Sequence, residues 1–585
     1  MSAISLSPLS TSWSPSGNSA PASVTASAQA SSRVPIASAV SPDVTRNSVT
    51  NFTPSVIPEA VPSTMGDTRF LHVTQWPSAM ESIDVTYEAI APSQTSSRQM
   101  QVWEQTPTTA VDQIIGRNAS ATTEKARFAG LGSALIEQAA RTGSSYRQTV
   151  VNLGAVSSPD KIQGKATGAM WGIQSSPSAS ATFAITTQSG ATVRISIADQ
   201  REQRATGSGI AVQIEVDGNL TQQEKDALQS LAEGFDLAIE GLTAESPVLR
   251  LDGLLKFDSK LFTKLEFKVD IYGVDQDGVR ILKLGANISA DAKTREIELK
   301  SPEGTVRMKT DLRQPALWGT ADQKAYAVRQ YLSRIDKAAE RGHADSGLVD
   351  LFKSSFAALN GGYESANSPG RSGSASISIG DPVDLTRDAN AFSEGDKSLL
   401  TGLADFDASI TATRRASNPR RTKEVDTFEY TLKQSTQISG SSPSNRGFTQ
   451  TQSAKLSAAY HQSLHSRAAP KLTSDSATQN YSYEKVEDSS STQVELGYEK
   501  DEPVRALITQ AASQSLHVLK VENNKITENT AEPAHVQSKQ TDLLPLLKQL
   551  KQQQDANQLT HDEKQKQLQE WGGMVLGSLT TDSHR

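Results

Sequence analysis

The sequence predicts an α+β fold built on antiparallel strands, and three observations predict it. Short runs of strict apolar–polar alternation recur along the chain, as in Leu265, Phe267, Val269 and Ile271, the pattern of a strand with one buried face. Many of these runs are joined by tight turns rich in Gly, Asp and Pro, and only antiparallel neighbours can be joined so directly. Capped stretches with apolar residues three and four apart stand between groups of strands and read as amphipathic helices. The expected architecture is a disordered N-terminal head, antiparallel strand meanders with flanking helices, a second Thr/Gln/Ser-rich antiparallel β region and a C-terminal helical hairpin.

Residues 1–63 read as the disordered head. Ser, Thr, Ala, Pro and Val dominate it, the first Arg is Arg33, the first acid is Asp43, and the first Lys of the chain is Lys125. Such a stretch has no periodic apolar face and cannot offset its ordering entropy. Residues 64–119 bring scattered apolar side chains, among them Phe70, Trp76, Tyr87 and Trp103, between prolines. They read as an extended segment lying on a domain.

An α+β domain is expected over 120–362. Phe128, Leu131, Leu135, Ile136 and Ala139 share one face of a helix over 121–141, with Thr123 as cap and Gly143 as stop. Phe183 to Thr187 and Val193 to Ile197 form a hairpin, and Ile210 to Val216 add a third strand. Thr221 and Glu224 form a capping box for a helix running to about Glu240, stopped by Gly241. A second meander follows from Leu265 to Met308, with a change of parity between Ile281 and Leu282 that predicts a bulge. Thr320 caps a helix carrying Val328, Leu332 and Ile335, and Leu348, Leu351, Phe352 and Phe356 mark the next.

Residues 363–404 open Ser/Gly-rich and read as a linker. From 405 to 525 strand follows strand, with Phe406, Ile410, Phe428, Tyr430, Leu432, Leu456, Tyr481, Tyr483, Val494 and Leu496 on an apolar face and Thr, Gln, Ser, Lys and Glu on a wet one. That apolar face is thin, so the region should pack on the middle domain or on a partner. Residues 526–585 read as C-terminal helices. Leu543, Leu544, Leu546, Leu547 and Leu550 form one stripe; Thr560 caps a second helix with Leu568, Trp571, Val575 and Leu576, docked on the chain's own sheet.

Composition narrows the function. The chain has 585 residues, no cysteine, a net charge of −7 and 36% hydrophobic residues, below the roughly 45–50% of a globular chain. A cysteine-free chain has no disulfide scaffold, thiolate nucleophile, Cys-ligated zinc or iron–sulfur cluster. The mild charge leaves no broad footprint for nucleic acid. No run approaches the ~18 apolar residues of a membrane span, and a Sec-type signal is missing from the opening residues. Dense Ser (Ser2, Ser5, Ser7, Ser10, Ser12) without an early acid resembles the uncleaved leaders of type III secreted proteins, which sets export without a cleaved signal beside a cytoplasmic location.

Four motifs invite chemistry and each has a structural reading that explains it better. Gly130-Leu-Gly132-Ser-Ala-Leu135 is close to a dinucleotide fingerprint, but Leu135 stands where the third glycine belongs and no strand precedes it; close helix packing is expected. Asp275, Asp277 and Gly278 suggest a calcium loop, yet Leu284 occupies the closing position that needs Glu; a hairpin turn is expected. The basic run from Arg414 to Lys423 reads as a charged hairpin tip, without the interleaved aromatics of a nucleic-acid platform. His461 and His465 bracket Gln462 where a zincin helix carries Glu, and both are expected on the wet face of a strand.

Three segments, Arg127 to Ile136, Asp217 to Leu228 and the Thr/Gln-rich strands near Thr427–Tyr460, together resemble a group of uncharacterised proteins of Pseudomonas-like bacteria with a Ser/Thr/Pro-rich head. Some of that group carry a lactate dehydrogenase label, which the motifs here do not support. The resemblance implies no catalytic residues. The expected function is a non-enzymatic bacterial interaction protein with a protein partner, no cofactor and no metal; the alternative is a hydrolase with a carboxylate site.

Overall fold

The computed structural model describes residues 72–74, 100–153, 160–201, 207–251, 253–255, 258–361, 363, 385, 392–442, 444–466, 469–555 and 561–577. They form one antiparallel sheet of sixteen strands. The strands are β1 (His72–Thr74), β2 (Met100–Trp103), β3 (Tyr146–Leu153), β4 (Ala179–Thr187), β5 (Thr192–Gln200), β6 (Ser208–Asp217), β7 (Phe262–Val274), β8 (Arg280–Asp291), β9 (Thr294–Ser301) and β10 (Gly304–Asp311). They continue as β11 (Asp405–Ala412), β12 (Thr427–Ser442), β13 (Asn445–Ser463), β14 (Tyr481–Glu499), β15 (Glu502–Glu522) and β16 (Lys525–Asp542). Spatial order follows chain order except that β6, β5 and β4 run in reverse between β3 and β7. The head expected over 1–63 lies outside the described residues.

Helices cover one face of this sheet. α1 (Ala110–Asn118), α2 (Glu124–Phe128) and α3 (Leu131–Thr142) precede and follow the turn at Ala119, and α4 (Asp160–Ser175) stands apart from them. α5 (Gln222–Gln229) and α6 (Ala232–Leu242) join α3 over β3 to β7, where Phe235 sits between Phe183 and Phe267 with ring centroids 4.9 and 5.5 Å away. α7 (Ala321–Gly342) and α8 (Ser346–Asn360) continue the same core, Tyr331 meeting Phe356 and Phe406. α9 (Glu394–Ser398), α10 (Leu544–Asp555) and α11 (His561–Leu576) cover the far strands through Leu400, Leu543, Leu547, Leu550, Trp571 and Val575. α4 alone packs on the opposite face, Ala166, Ala169, Met170 and Ile173 meeting Val102, Val151 and Leu153. Among the described residues no helix is long and apolar enough to cross a membrane.

Several expectations are corrected here. The helix over 121–141 is two helices, because Gly130 takes a left-handed conformation (φ 71°) and breaks the run. The helix after Thr221 is also split, at Ser230–Leu231, and it runs through Gly241 to Leu242; Gly241 is inside because a Cβ there would strike the Val248 carbonyl at 2.4 Å. The bulge in β8 falls at Lys283, the residue skipped as Ile271 pairs with Leu284 and Tyr272 with Leu282. The boundary at 363–404 does not divide the sheet, since β10 pairs with β11 from Gly304–Ala412 to Asp311–Asp405. Residues 526–542, expected as helical, belong to β16, and 110–118, expected as extended, form α1 capped by Thr109 and Asp112.

The thin apolar face expected over 405–525 carries polar residues as well, Gln434 in register with Phe406 and Gln450 with Val494. Gln434, Thr436, Gln450 and Gln452 are buried beneath the helices. The amides of Gln434 and Gln450 serve the irregular chain at 401–404, which has no sheet to satisfy it. Gln434 Nε2 donates to the Leu403 carbonyl at 3.0 Å, the Thr401 N–H donates to Gln450 Oε1 at 3.0 Å, and Gln450 Nε2 donates to Thr436 Oγ1 at 3.0 Å. Thr436 in turn donates from N–H and hydroxyl to Asp405, both at 2.7 Å.

The capping box at α5 gives a pH-dependent prediction. Burial works against the charge of Glu224, but the Thr221 N–H and the hydroxyls of Ser189 and Thr221 outweigh it and hold the carboxyl down at about 2, against an ordinary 4.5. The folded-state value is depressed, so this stabilisation is fully present above pH 4.5 and is lost as pH falls toward 2. Glu224→Ala is expected to cost about 1 kcal/mol in urea unfolding at pH 7, and the gap to the parent should close in acid.

Candidate functional site

A set of ionisable side chains lies on the face of the sheet opposite the helices. His461 near the end of β13 pairs across the ladder with Tyr483, and Ser463 pairs with Tyr481. This face is roofed by the chain between β11 and β12, held in place by an antiparallel bridge of Arg415 with Asp426. The roof lowers Glu424 and Asp426 onto the imidazole. His461 Nδ1 lies 2.6 Å from Asp426 Oδ1, and Nε2 lies 3.2 Å from Glu424 Oε2.

Every neighbour reinforces that arrangement. Tyr481 donates its hydroxyl to Glu424 at 2.6 Å and Tyr483 donates to the Val425 carbonyl at 3.0 Å. Both rings flank His461, with centroids 5.0 and 4.8 Å away. Asn418, fully buried, donates to Gln479 Oε1 and to the Tyr481 oxygen, each at 2.9 Å. Ser417 donates to Asp426, and Arg421 lies 3.6 Å from Glu424. Burial and the adjacent Glu424 push the Tyr481 phenol well above its ordinary range, and burial does the same for Tyr483.

The chemistry of this cluster is that of a lock. A carboxylate only accepts, so both bonds to His461 are made together when both ring nitrogens carry protons. Neither nitrogen then faces outward to take a proton from a substrate. The expectation that His461 lies on the wet strand face is right about the face and wrong about its exposure, because the roof covers it; His465, expected on the same strand face, falls beyond the end of β13 and is exposed. The basic run is likewise corrected: it is no edge tip. Arg420 donates to the Ser474 carbonyl at 2.5 Å and Arg421 to the Asn524 carbonyl at 3.3 Å, tying the roof to neighbouring loops.

The remaining motifs resolve into packing. At Gly132 an added Cβ would come within 3.1 Å of the Asp236 backbone, and the Gly132 N–H donates to Asp236 Oδ1 at 3.2 Å. The start of α3, where a fingerprint would seat a pyrophosphate, therefore holds a carboxylate of the chain itself. Asp275 accepts from the N–H groups of Asp277 and Val279, as a hairpin turn requires. Sequence reasoning missed Glu424, Asp426 and Asn418. Tyr481 and Tyr483, expected on the apolar face beside Val494 and Leu496, stand on the opposite face, and their odd positions against the even Val494 were the available signal.

A second buried pair is closed in the same way. Arg127 pairs with Asp199 and donates to the carbonyls of Ala119 at 2.7 Å, Ala121 at 3.0 Å and Gly209 at 3.0 Å. An open groove of about 370 Å³ between α7 and α8 includes Asp336, Glu340 and His343, but Lys353 holds Asp336 at 2.6 Å and His343 stacks on Tyr460. No protein-family model, curated protein or solved structure matches the chain.

A lock and an active site respond differently to mutation. His461→Ala leaves two carboxylates facing each other in a buried space, and is expected to cost about 3–5 kcal/mol in urea unfolding. Removing the charges together, as in Glu424→Gln, Asp426→Asn and His461→Leu combined, is expected to cost less than the single change. A single change costing under ~1 kcal/mol would show that the cluster is not structural.

Proposed function

We propose that the chain is a non-enzymatic interaction protein that receives a protein partner at the free edge of its C-terminal sheet. One observation carries the reading. β16 is the last strand of the sheet, and it buries neither of its faces: its residues are exposed almost without interruption. Ile526 is 54% exposed and Val536 69%. A strand of this kind is held by main-chain bonds on one side and offers a row of unpaired N–H and C=O groups on the other. Strand addition uses such a row for affinity and the alternate side chains for selection.

The closed clusters support the same reading, because their titratable groups are spent on one another. The Ser-rich, initially uncharged opening of the sequence supports export without a cleaved signal as part of this proposal. A fusion of residues 1–50 to a reporter is expected outside type III-competent cells with its N-terminus intact; retention in those cells would remove that part.

The edge reading is tested with a photo-crosslinking residue at Val536. A bound protein is expected to crosslink there and to slow amide exchange selectively in 525–542. Ala531→Lys with Val536→Lys is expected to abolish both signals. The melting temperature should stay unchanged, since exposed substitutions cost within about 0.5 kcal/mol. Binding that survives these changes would place the partner elsewhere.

A further inference from the structure

We infer that one partner of this edge is a second copy of the chain, joined β16 to β16 in antiparallel fashion about a two-fold axis at Pro533–Ala534; this rests on the strand-addition reading above. The observation is a register shift. Gln514 of β15 faces His535 and Leu516 faces Glu532, so one residue of β15 stands opposite Pro533 and Ala534 together. That bulge reverses the parity of the strand. Glu532 and His535, which a regular strand would turn to opposite faces, lie on the same face.

The consequence is a charge palindrome. Glu528, Thr530 and Glu532 face with Lys520, Val518 and Leu516, while His535, Gln537 and Lys539 face with Gln514, Ala512 and Gln510. All six side chains of β16 therefore share the helix side of the sheet. Rotating a second copy by half a turn about the bulge sets Glu528 opposite Lys539, Thr530 opposite Gln537 and Glu532 opposite His535, each contact occurring twice. On the other face Asn529 meets Ser538 and Ala531 meets the exposed Val536. No like charges oppose one another. Sliding the copies by one step to the next same-face register puts Glu532 opposite Gln537 and Lys539 opposite Thr530, and both acid–base pairings are lost.

The same features act against unrelated strands. Pro533 presents no N–H, and it sits at the bulge, where a sheet tolerates proline. The charges repel strands that lack the matching order. Glu528 is also held by Lys520 of its own chain at 2.5 Å, which fixes the carboxylate at the edge before a partner arrives.

Sedimentation of the full chain tests this directly. Two chains per particle are expected at low salt, with weakening in high salt because exposed pairs are screened. Glu528→Lys and Lys539→Glu each create two like-charge contacts and are expected to raise the dissociation constant at least about tenfold. Mixed together, the two variants are expected to form a heterodimer, since every contact is then again Glu against Lys. A single chain at ~100 µM in low salt would overturn the proposal, as would a dimer indifferent to both reversals. If the chain stays single while Val536 still crosslinks another protein, the second copy is overturned and the strand-addition reading stands.

Discussion

The structure depends on one uninterrupted antiparallel ladder. Among the described residues sixteen strands pair in a single sheet, so each strand inherits its facing from its neighbour and the chain cannot choose a new inside. The helices are fitted to that constraint. They lie between strands in sequence, or after the last strand as α10 and α11 do, and return to the same face, with α4 the exception that caps the reverse of β2, β3 and β6. A core made this way is long rather than deep. Its aromatic anchors, Phe183, Phe235 and Phe267 at one end and Tyr331, Phe356 and Phe406 further along, recur wherever a helix crosses the strands.

Much of this was legible from alternation and capping. Strand period, the Thr221–Glu224 box, the Thr320 cap and the Asp275 turn are local devices, and local chemistry decides them. What escaped the sequence was non-local. Gly130 reads as packing material until its left-handed conformation is seen to divide a helix. Gln434 and Gln450 merely thin the apolar face until the irregular chain at 401–404 is seen to need their amides. His461 reads as exposed until a loop some thirty-five residues away in sequence closes over it. In each case the residue's own pattern was read correctly and its neighbour was invisible.

The ionisable groups follow the same division between closed and open. Arg127 with Asp199, and His461 with Asp426 and Glu424, are each surrounded by partners within the chain. Such sets contribute uniqueness of structure more than net stability, since desolvation offsets much of their attraction. Their placement supports that role. One pins the α1–α2 connection to the ends of β5 and β6, and the other pins the β11–β12 connection to β13 and β14.

A sheet that does not close must end twice, and the two ends here are unequal. Among the described residues β1 is three residues long, whereas β16 has eighteen. A short edge offers too little main chain to template another strand, and needs no further protection. A long one does, and helices would be the usual cover. Among the described residues α10 packs on β15, and the Gln510 side chain of β15 donates to the Gly577 carbonyl just past α11, so these helices lie on the strand inside β16. The strand is protected instead by charge, by Pro533 and by a central bulge. Charges scattered only for solubility need no order, yet here the acids Glu528 and Glu532 precede the bulge and the bases His535 and Lys539 follow it on one face. An edge that excludes most strands by charge order also specifies the order it accepts, so on the proposed pairing protection and recognition are the same feature of this strand.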